Sequence, residues 1–131
     1  MNNELSKKNI VSFKDLHAWQ EGHRLVLLIY ETSKLFPRDE LFALTSQIKR
    51  AAVSITSNIA EGFSRKSYKE KLQFYTIALG STTEVQNQIE IAKDIHYIEQ
   101  EEYDKVLEQS VVVHKLLNGL MKGARIIIHT A

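Results

Sequence analysis

The chain lacks cysteine altogether and contains a single proline and only five glycines among its 131 residues. The absence of cysteine excludes disulfide frameworks, thiolate zinc sites and cysteine nucleophiles. Because proline and glycine most often interrupt helices, their scarcity favours long helices. The longest uninterrupted apolar run, residues 25–30, is far shorter than the about 20 residues that a membrane span requires. No long apolar segment of the targeting type lies near the start, so we expect a cytoplasmic protein without membrane contact.

The composition that remains is typical of an ordinary globular domain. Hydrophobic residues make up 44% of the chain and charged residues 25%, with 17 basic side chains against 16 acidic ones. This length falls within the usual range of single domains, roughly 100–150 residues, and leaves no room for a second substantial domain. Residues 1–11 are polar and cannot bury enough surface to become ordered on their own. We therefore predict a disordered tail at 1–11 and a single domain at 12–131.

Local signals mark the ends of the predicted helices. Ser12 and Asp15 form a capping box before the first helix, and Pro37 ends it. Ser67 and Glu70 form a second capping box, which opens the third helix. The four predicted helices cover residues 13–36, 39–63, 67–96 and from about 99 to at least 121.

The predicted connections have about two to six residues, and connections this short force neighbouring helices to run antiparallel. Apolar positions recur at steps of three and four, which is the spacing of one helix face. In the second helix they form a continuous seam of Leu41, Leu44, Ile48, Ala52, Ile55 and Ile59. No alternating pattern is long enough to indicate a strand. We therefore predict an all-α fold, an antiparallel up-down-up-down four-helix bundle.

Two helices carry more apolar surface than a bundle requires. Residues 25–30 cover the whole circumference of the first helix, and residues 111–117 nearly do so on the fourth, although a bundle helix needs one apolar stripe. We interpret this excess as the interface of a homo-oligomer, with Leu25, Leu28, Val112 and Leu116 as candidate contacts. The alternative is a set of scattered exposed leucines and valines, which many protein surfaces carry.

The near-neutral total charge conceals an uneven distribution. Residues 49–81 contain six basic and two acidic side chains, whereas residues 82–108 contain two basic and eight acidic ones. In an up-down bundle the second turn lies at the same end as both termini, so basic side chains gather there. The candidate nucleic-acid contacts are Lys49, Arg65, Lys66, Lys69, Lys71, Lys122 and Arg125. Ordinary solvated charges are the alternative interpretation.

The sequence contains no catalytic constellation. None of its glutamates is followed by histidine three residues later, as the di-iron sites of helical bundles require. His17 and Glu21 lie one turn apart and could share a metal, although a surface hydrogen bond is the simpler interpretation. We expect neither enzyme activity nor a metal or other cofactor.

The second helix has a polar stripe that packing alone does not require. At about 100° per residue the stripe lies beside the apolar seam, and it consists of Gln47, Arg50, Ser54, Asn58 and Glu61, continuing to Arg65. One interpretation is a partly buried network in which Arg50 and Glu61 are paired through Ser54 and Asn58. Direct contact of the stripe with a ligand is the other.

These residues resemble the signature of a known bacterial family. Residues 47–55, QIKRAAVSI, and residues 58–62, NIAEG, with Arg65 after them, are similar to four-helix-bundle proteins first noticed as open reading frames in intervening sequences of 23S ribosomal RNA genes. The similarity covers residues 13 to about 120 and also includes Phe13, Leu16, Trp19, Tyr30, Phe36, Pro37, residues 78–81 and Glu84. Ala43 departs from the family, which commonly has glycine at this position.

The resemblance implies an up-down bundle that assembles as a barrel-like homopentamer. A related branch, the accessory variability determinant of diversity-generating retroelements, binds nucleic acid and a reverse transcriptase through basic surfaces. From the residues and the resemblance together we expect a non-enzymatic homo-oligomer that binds structured RNA or another nucleic acid. The alternative is a protein scaffold or accessory subunit, for example of a reverse transcriptase, without direct nucleic-acid contact.

Overall fold

The computed structural model describes residues 9–130, and within them all regular structure is helical. The four α-helices are α1 (His17–Thr32), α2 (Leu44–Ser64), α3 (Tyr68–Asp94) and α4 (Gln100–Thr130). Each helix packs against its two neighbours in a closed square, α1 on α2 and α4, and α3 on α2 and α4. The connections, residues 33–43, 65–67 and 95–99, reverse the direction each time, which confirms the predicted antiparallel up-down-up-down bundle. The first connection is longer than predicted and contains two 3₁₀ turns.

The segment around the first helix is less regular than predicted. Phe13–Asp15 is a single 3₁₀ turn, and Leu16 is extended before α1 begins. The capping box forms as expected, since Ser12 Oγ accepts from the Lys14 amide at 3.2 Å and Asp15 accepts from the Ser12 amide at 2.9 Å. It therefore caps the 3₁₀ turn and not the long helix. The predicted tail lies mostly at residues 1–8, outside the described part of the chain.

The second helix begins later than predicted. Arg38–Glu40 form a 3₁₀ turn, and a Glu40 carboxylate oxygen accepts from the Leu44 amide at 3.2 Å, at the start of α2. Leu41 therefore lies in the connection and is exposed, so its assignment to the apolar seam is wrong. The rest of the seam, from Leu44 to Ile59, is buried as predicted.

The third and fourth helices follow their local signals closely. Ser67 Oγ accepts from the Glu70 amide at 3.1 Å and so caps α3. The helix ends at Asp94, and His96 then adopts a left-handed backbone conformation, with φ 67°, that turns the chain. The apolar seam continues on α4 through Val113 and Leu117, which are fully buried.

One residue that was predicted to lie at an oligomer interface lies in the core instead. Leu25 is fully buried within a single chain, on the same face of α1 as Ile29. Its assignment to an outer, oligomer-forming face is therefore wrong, because a wholly apolar helix circumference does not reveal which side faces the neighbouring helices. None of the helices in residues 9–130 is both long and apolar enough to cross a bilayer.

Candidate nucleic-acid interface and polar groove

Four of the predicted cations are exposed at one end of the bundle. Lys66, Lys69, Lys122 and Arg125 are exposed, and none of them has an ion pair or hydrogen bond with any residue from 9 to 130. We call these four residues the basic end. The connection between α2 and α3 carries the first pair, and the last turns of α4 carry the second.

The register between α3 and α4 brings the two pairs to the same level. Tyr103 donates to Glu90 at 2.6 Å, and Gln86 donates to Ser110 at 3.0 Å. With antiparallel helices of equal rise, these contacts place the first turn of α3 beside the turn of α4 that contains Arg125. Lys66, Lys69, Lys122 and Arg125 therefore lie at the same end of the bundle.

Arg65 lies near the basic end, but its guanidinium is already bonded. Nη2 is 2.8 Å from a Glu61 carboxylate oxygen, and Nη1 is 3.7 Å from Glu70. The guanidinium also lies 4.8 Å above the Phe74 ring. These contacts lock Arg65 against the helices, and its buried Nε has no acceptor in the described part of the chain.

Lys71 has a structural role that the sequence did not reveal. Its ammonium donates to the backbone carbonyl oxygens of Phe63 at 2.7 Å and Gly62 at 3.3 Å, where the last turn of α2 leaves carbonyls without helical partners. The ammonium also lies over the rings of Phe63 and Tyr68. Burial lowers the pKa of Lys71 because the surroundings solvate its charge less well than water does.

Lys49 is not close to the basic end. It lies on α2, roughly 24 Å before Arg65 at 1.5 Å per residue. Its ammonium is 4.8 Å from the centre of the Tyr30 ring on α1. With Lys34 and Arg38 it lines a separate pocket of about 370 Å³ near the other end of the bundle.

The polar stripe of α2 forms a network, but not the predicted one. Ser54 Oγ lies 2.8 Å from Ser81 Oγ on α3, and Asn58 donates to the Ser54 carbonyl at 2.8 Å. Glu61 pairs with Arg65 instead of Arg50, from which it is separated by roughly 16 Å along the helix. The predicted network from Arg50 to Glu61 through Ser54 and Asn58 is therefore wrong, because within residues 9–130 Ser54 and Asn58 bond to Ser81 and to each other, and Glu61 bonds to Arg65.

Arg50 instead lines a groove between α2 and α3, with a volume of about 440 Å³. Its walls include Phe42, Gln47, Arg50, Ser54, Glu84 and Gln88, and we call this cleft the α2–α3 groove. Several of these residues carried the family resemblance, whereas neither Phe42 nor, on α3, Gln88 was predicted. The four-residue spacing of Glu84 and Gln88 on α3 places both on one helix face and could have indicated it.

The remaining candidate interface residues differ in exposure. Leu28 and Leu116 are half-buried and pack against the core, whereas Val112 is 40% exposed on the outer side of α4. Glu21, the residue considered with His17 as a metal ligand, accepts a 2.9 Å hydrogen bond from Gln109. No group of three or more histidine, aspartate or glutamate side chains between residues 9 and 130 is arranged to hold a metal ion.

Comparisons with solved structures and with protein families identify similar proteins, whereas a comparison with curated sequences does not. No curated protein is significantly similar in sequence. A crystal structure of a protein with unknown function from the S23 ribosomal protein family of Bacteroides thetaiotaomicron has a similar fold, with a TM-score of 0.75 and 24% sequence identity. The match covers 80% of this chain and 98% of that one. The model of the 23S rRNA-intervening sequence protein family matches residues 14–119. The chain therefore belongs to the 23S rRNA-intervening sequence protein family.

Proposed function

We propose that this protein is a non-enzymatic, self-associating bundle that binds structured RNA through its basic end. The observation that supports the proposal is the convergence of Lys66, Lys69, Lys122 and Arg125 without anionic partners among residues 9–130. Unpaired lysine and arginine side chains on one surface suit phosphate groups, whose neutralisation dominates nucleic-acid affinity. The family name refers to intervening sequences of 23S rRNA, which is consistent with an RNA partner.

Self-association would strengthen a weak local field. The total charge is only +1, so four cations on one chain give modest attraction by themselves. A ring of copies about an axis parallel to the helices would place every basic end on one face. Exposed apolar side chains such as Val112 on α4 and Leu27 on α1 supply the surface for such contacts, and the family resemblance suggests five copies.

Salt-dependent binding to a fluorescent RNA hairpin tests the RNA contact. The logarithm of the affinity should fall linearly with the logarithm of the salt concentration, because each contacted phosphate releases counterions. The double variant K66E/K69E should bind more weakly and reduce the slope by about 1.4–1.8. The double variant K34E/K105E changes the net charge equally at the opposite end and serves as the control.

Two results would contradict the RNA proposal. One is an affinity that does not respond to salt, since phosphate contacts by lysine and arginine always release counterions. The other is an equal loss of affinity in the two double variants, because net charge and not the basic end would then explain binding. Circular dichroism of each variant confirms that the bundle remains folded.

A protein scaffold is the second candidate function, and an exposed aromatic residue favours it. Phe42 is 92% exposed in the connection before α2, directly after the exposed Leu41. A side chain of this size in water is typical of an interface anchor. A specific partner that survives nuclease treatment and is lost with Phe42→Ser would favour the scaffold, whereas loss of every partner after nuclease treatment favours RNA.

A further inference from the structure

The α2–α3 groove contains a buried acceptor that has no partner. Gln88 on α3 is only 9% exposed, and its amide oxygen is buried without a hydrogen bond from any residue between 9 and 130. Buried polar atoms in folded proteins are nearly always hydrogen-bonded, so an exception calls for an explanation. Gln88 lines the groove, so a rotation of its amide would bring this oxygen to a donor that a ligand places there.

The opposite wall of the groove supplies unpaired donors. The guanidinium of Arg50 on α2 is exposed and has no hydrogen-bond or ion-pair partner within the described residues. Glu84 lies one turn before Gln88 on α3 and is also free of ion pairs there. Arginine donates only, whereas a carboxylate and an amide oxygen accept. The groove thus combines donors on one wall with acceptors on the other.

An aromatic side chain stands at the same groove. Phe42 lines it and is 92% exposed, so most of its ring is open to a ligand. Proteins that bind single-stranded RNA stack unpaired bases on such rings and read the base edges with polar side chains. The groove volume of about 440 Å³ leaves room for a planar base.

We infer that the α2–α3 groove is a binding site for a guanine base, which rests on the proposed RNA-binding function. Guanine carries acceptors, O6 and N7, that match an arginine guanidinium in bidentate geometry. Its N1–H and 2-amino groups are donors, and the Glu84 carboxylate and the Gln88 amide oxygen can accept hydrogen bonds from them. Adenine has an amino group where guanine has O6, so it would present a donor to Arg50.

The position of the groove allows one RNA to reach both surfaces. Arg50 lies roughly 22 Å along α2 from Arg65, which is next to the basic end. A hairpin stem held at the basic end by its phosphates could therefore place an unpaired loop guanine in the groove. The basic end would supply affinity and the groove would supply base preference, as phosphate and base contacts divide these roles elsewhere.

Binding of free nucleotides to the full chain tests the base site without RNA. Isothermal titration should show that guanosine 5′-monophosphate binds about tenfold or more tightly than adenosine or inosine 5′-monophosphate. Inosine lacks only the 2-amino group, so the comparison measures the hydrogen bond from that group to the acceptors on α3, Glu84 and Gln88. Equal affinity for all three nucleotides, or no binding of any of them, would overturn the proposal.

Substitutions in the groove provide the second arm. Arg50→Met and Glu84→Ala alter exposed side chains and should remove most of the guanosine preference with little change in thermal stability. Gln88→Leu should remove it while raising the melting temperature, because the unpaired oxygen is eliminated. A groove that binds only water would show the stability gain with no effect on guanosine, which contradicts the inference.

The experiment separates this inference from the proposed function. The K66E/K69E variant should lose RNA affinity yet keep its preference for guanosine 5′-monophosphate. A hairpin with a single loop guanine should bind more tightly than the same hairpin with inosine there, which identifies RNA as the source of the base. If only the free nucleotide shows the preference, the groove takes a nucleotide and not a loop base of RNA, and the RNA proposal is then judged by its salt dependence and by K66E/K69E alone. A change of molar mass in Arg50→Met would instead assign the groove to contacts between copies and overturn the base site.

Discussion

The phenol of Tyr97 donates a 2.6 Å hydrogen bond to a carboxylate oxygen of Glu40, joining residues 57 positions apart in the sequence. The other oxygen of Glu40 accepts from the Leu44 amide at the start of α2. One carboxylate therefore connects the turn between α3 and α4 to the beginning of α2. The ring of Tyr97 also packs against Phe36, with ring centres 5.8 Å apart. This contact closes the end of the bundle opposite the basic end.

The Tyr97–Glu40 contact should make stability depend on pH at both extremes. The hydrogen bonds from Tyr97 and Leu44 lower the pKa of Glu40 below its ordinary value of 4.5. The ionised Glu40 carboxylate therefore contributes fully to the free energy of unfolding above pH 4.5, and this contribution is lost as the pH falls through the lowered pKa. The Glu40 hydrogen bond raises the pKa of Tyr97 from 10.0 to about 12. The protonated Tyr97 phenol therefore contributes fully to the free energy of unfolding below pH 10.0, and this contribution is lost as the pH rises towards 12.

Tyr97→Phe should therefore lower the melting temperature at pH 7 and weaken the loss of stability in acid. Thermal unfolding followed by circular dichroism between pH 2 and 7 measures both effects. Tyr30→Phe is the matched control, because the Tyr30 hydroxyl donates no hydrogen bond to residues 9–130. A parallel pH profile for wild type and Tyr97→Phe would show that the contact contributes nothing.

Gly62→Ala should destabilise the protein, although alanine favours helices. An added Cβ would lie 2.7 Å from the Tyr75 ring carbon Cε1 and 3.1 Å from Phe74 Cβ. Tyr75 is buried and cannot move freely, so we expect a loss of about 1–3 kcal/mol from overpacking. Urea unfolding measures the change in the free energy of unfolding.

Gly80→Ala is the control for Gly62→Ala. Gly80 lies in α3, where an added Cβ would have no neighbour within 4 Å. This substitution should stabilise the chain by about 0.5–1 kcal/mol, since alanine loses less backbone entropy in a helix. Similar effects at Gly62 and Gly80 would mean that the close packing of Tyr75 on α2 is not maintained in solution.

Lys71→Met and Lys66→Met should have opposite consequences. Removing the ammonium that binds the Phe63 carbonyl should lower the free energy of unfolding by about 1 kcal/mol. The RNA salt slope should be unchanged, because that ammonium is already bonded within the chain. Lys66→Met should change stability by less than about 0.5 kcal/mol and reduce the slope by about 0.7–0.9. The reverse pattern would assign the phosphate contact to Lys71.

Leu25→Ala and Val112→Glu should separate folding from self-association. Leu25 is fully buried within one chain, so its truncation should cost about 2–5 kcal/mol. Val112 is 40% exposed on α4, and a charge there should reduce the molar mass in light scattering while the helices stay folded. An unchanged molar mass would remove Val112 from the proposed interface.

Local signals in the sequence were sufficient to predict the four helices and the start of α3, although α1 and α2 begin later than predicted. Pro37 has no amide hydrogen and a fixed φ, so the first helical segment ends there. The Ser67 hydroxyl needs only the amide of Glu70, three residues away, to start α3. The seam from Leu44 to Ile59 follows from helical periodicity alone. These features depend on neighbours within one or two turns, and the sequence contains all of them.

The candidate site required contacts between helices. Nothing local indicates that Ser54 meets Ser81 on α3, or that Gln88 lies across the groove from Arg50. The long side chain of Lys71 reaches the last carbonyl oxygens of α2 because the first turn of α3 lies close to them in space. A flexible polar side chain bonds to whichever group lies within reach in space, so its hydrogen-bond partner depends on the register between helices and not on sequence spacing.

The sequence by itself determined that the chain forms four helices, the start of the third helix and most of its core seam, and the family to which the chain belongs. Only the tertiary structure decided that Leu25 faces inward and that Arg65 and Lys71 are held by their neighbours. The physical reason is that hydrogen bonds within a helix and apolar periodicity act over a few residues. The inward side of a helix that is apolar all round, and the partner of a long charged side chain, are determined only when the helices pack.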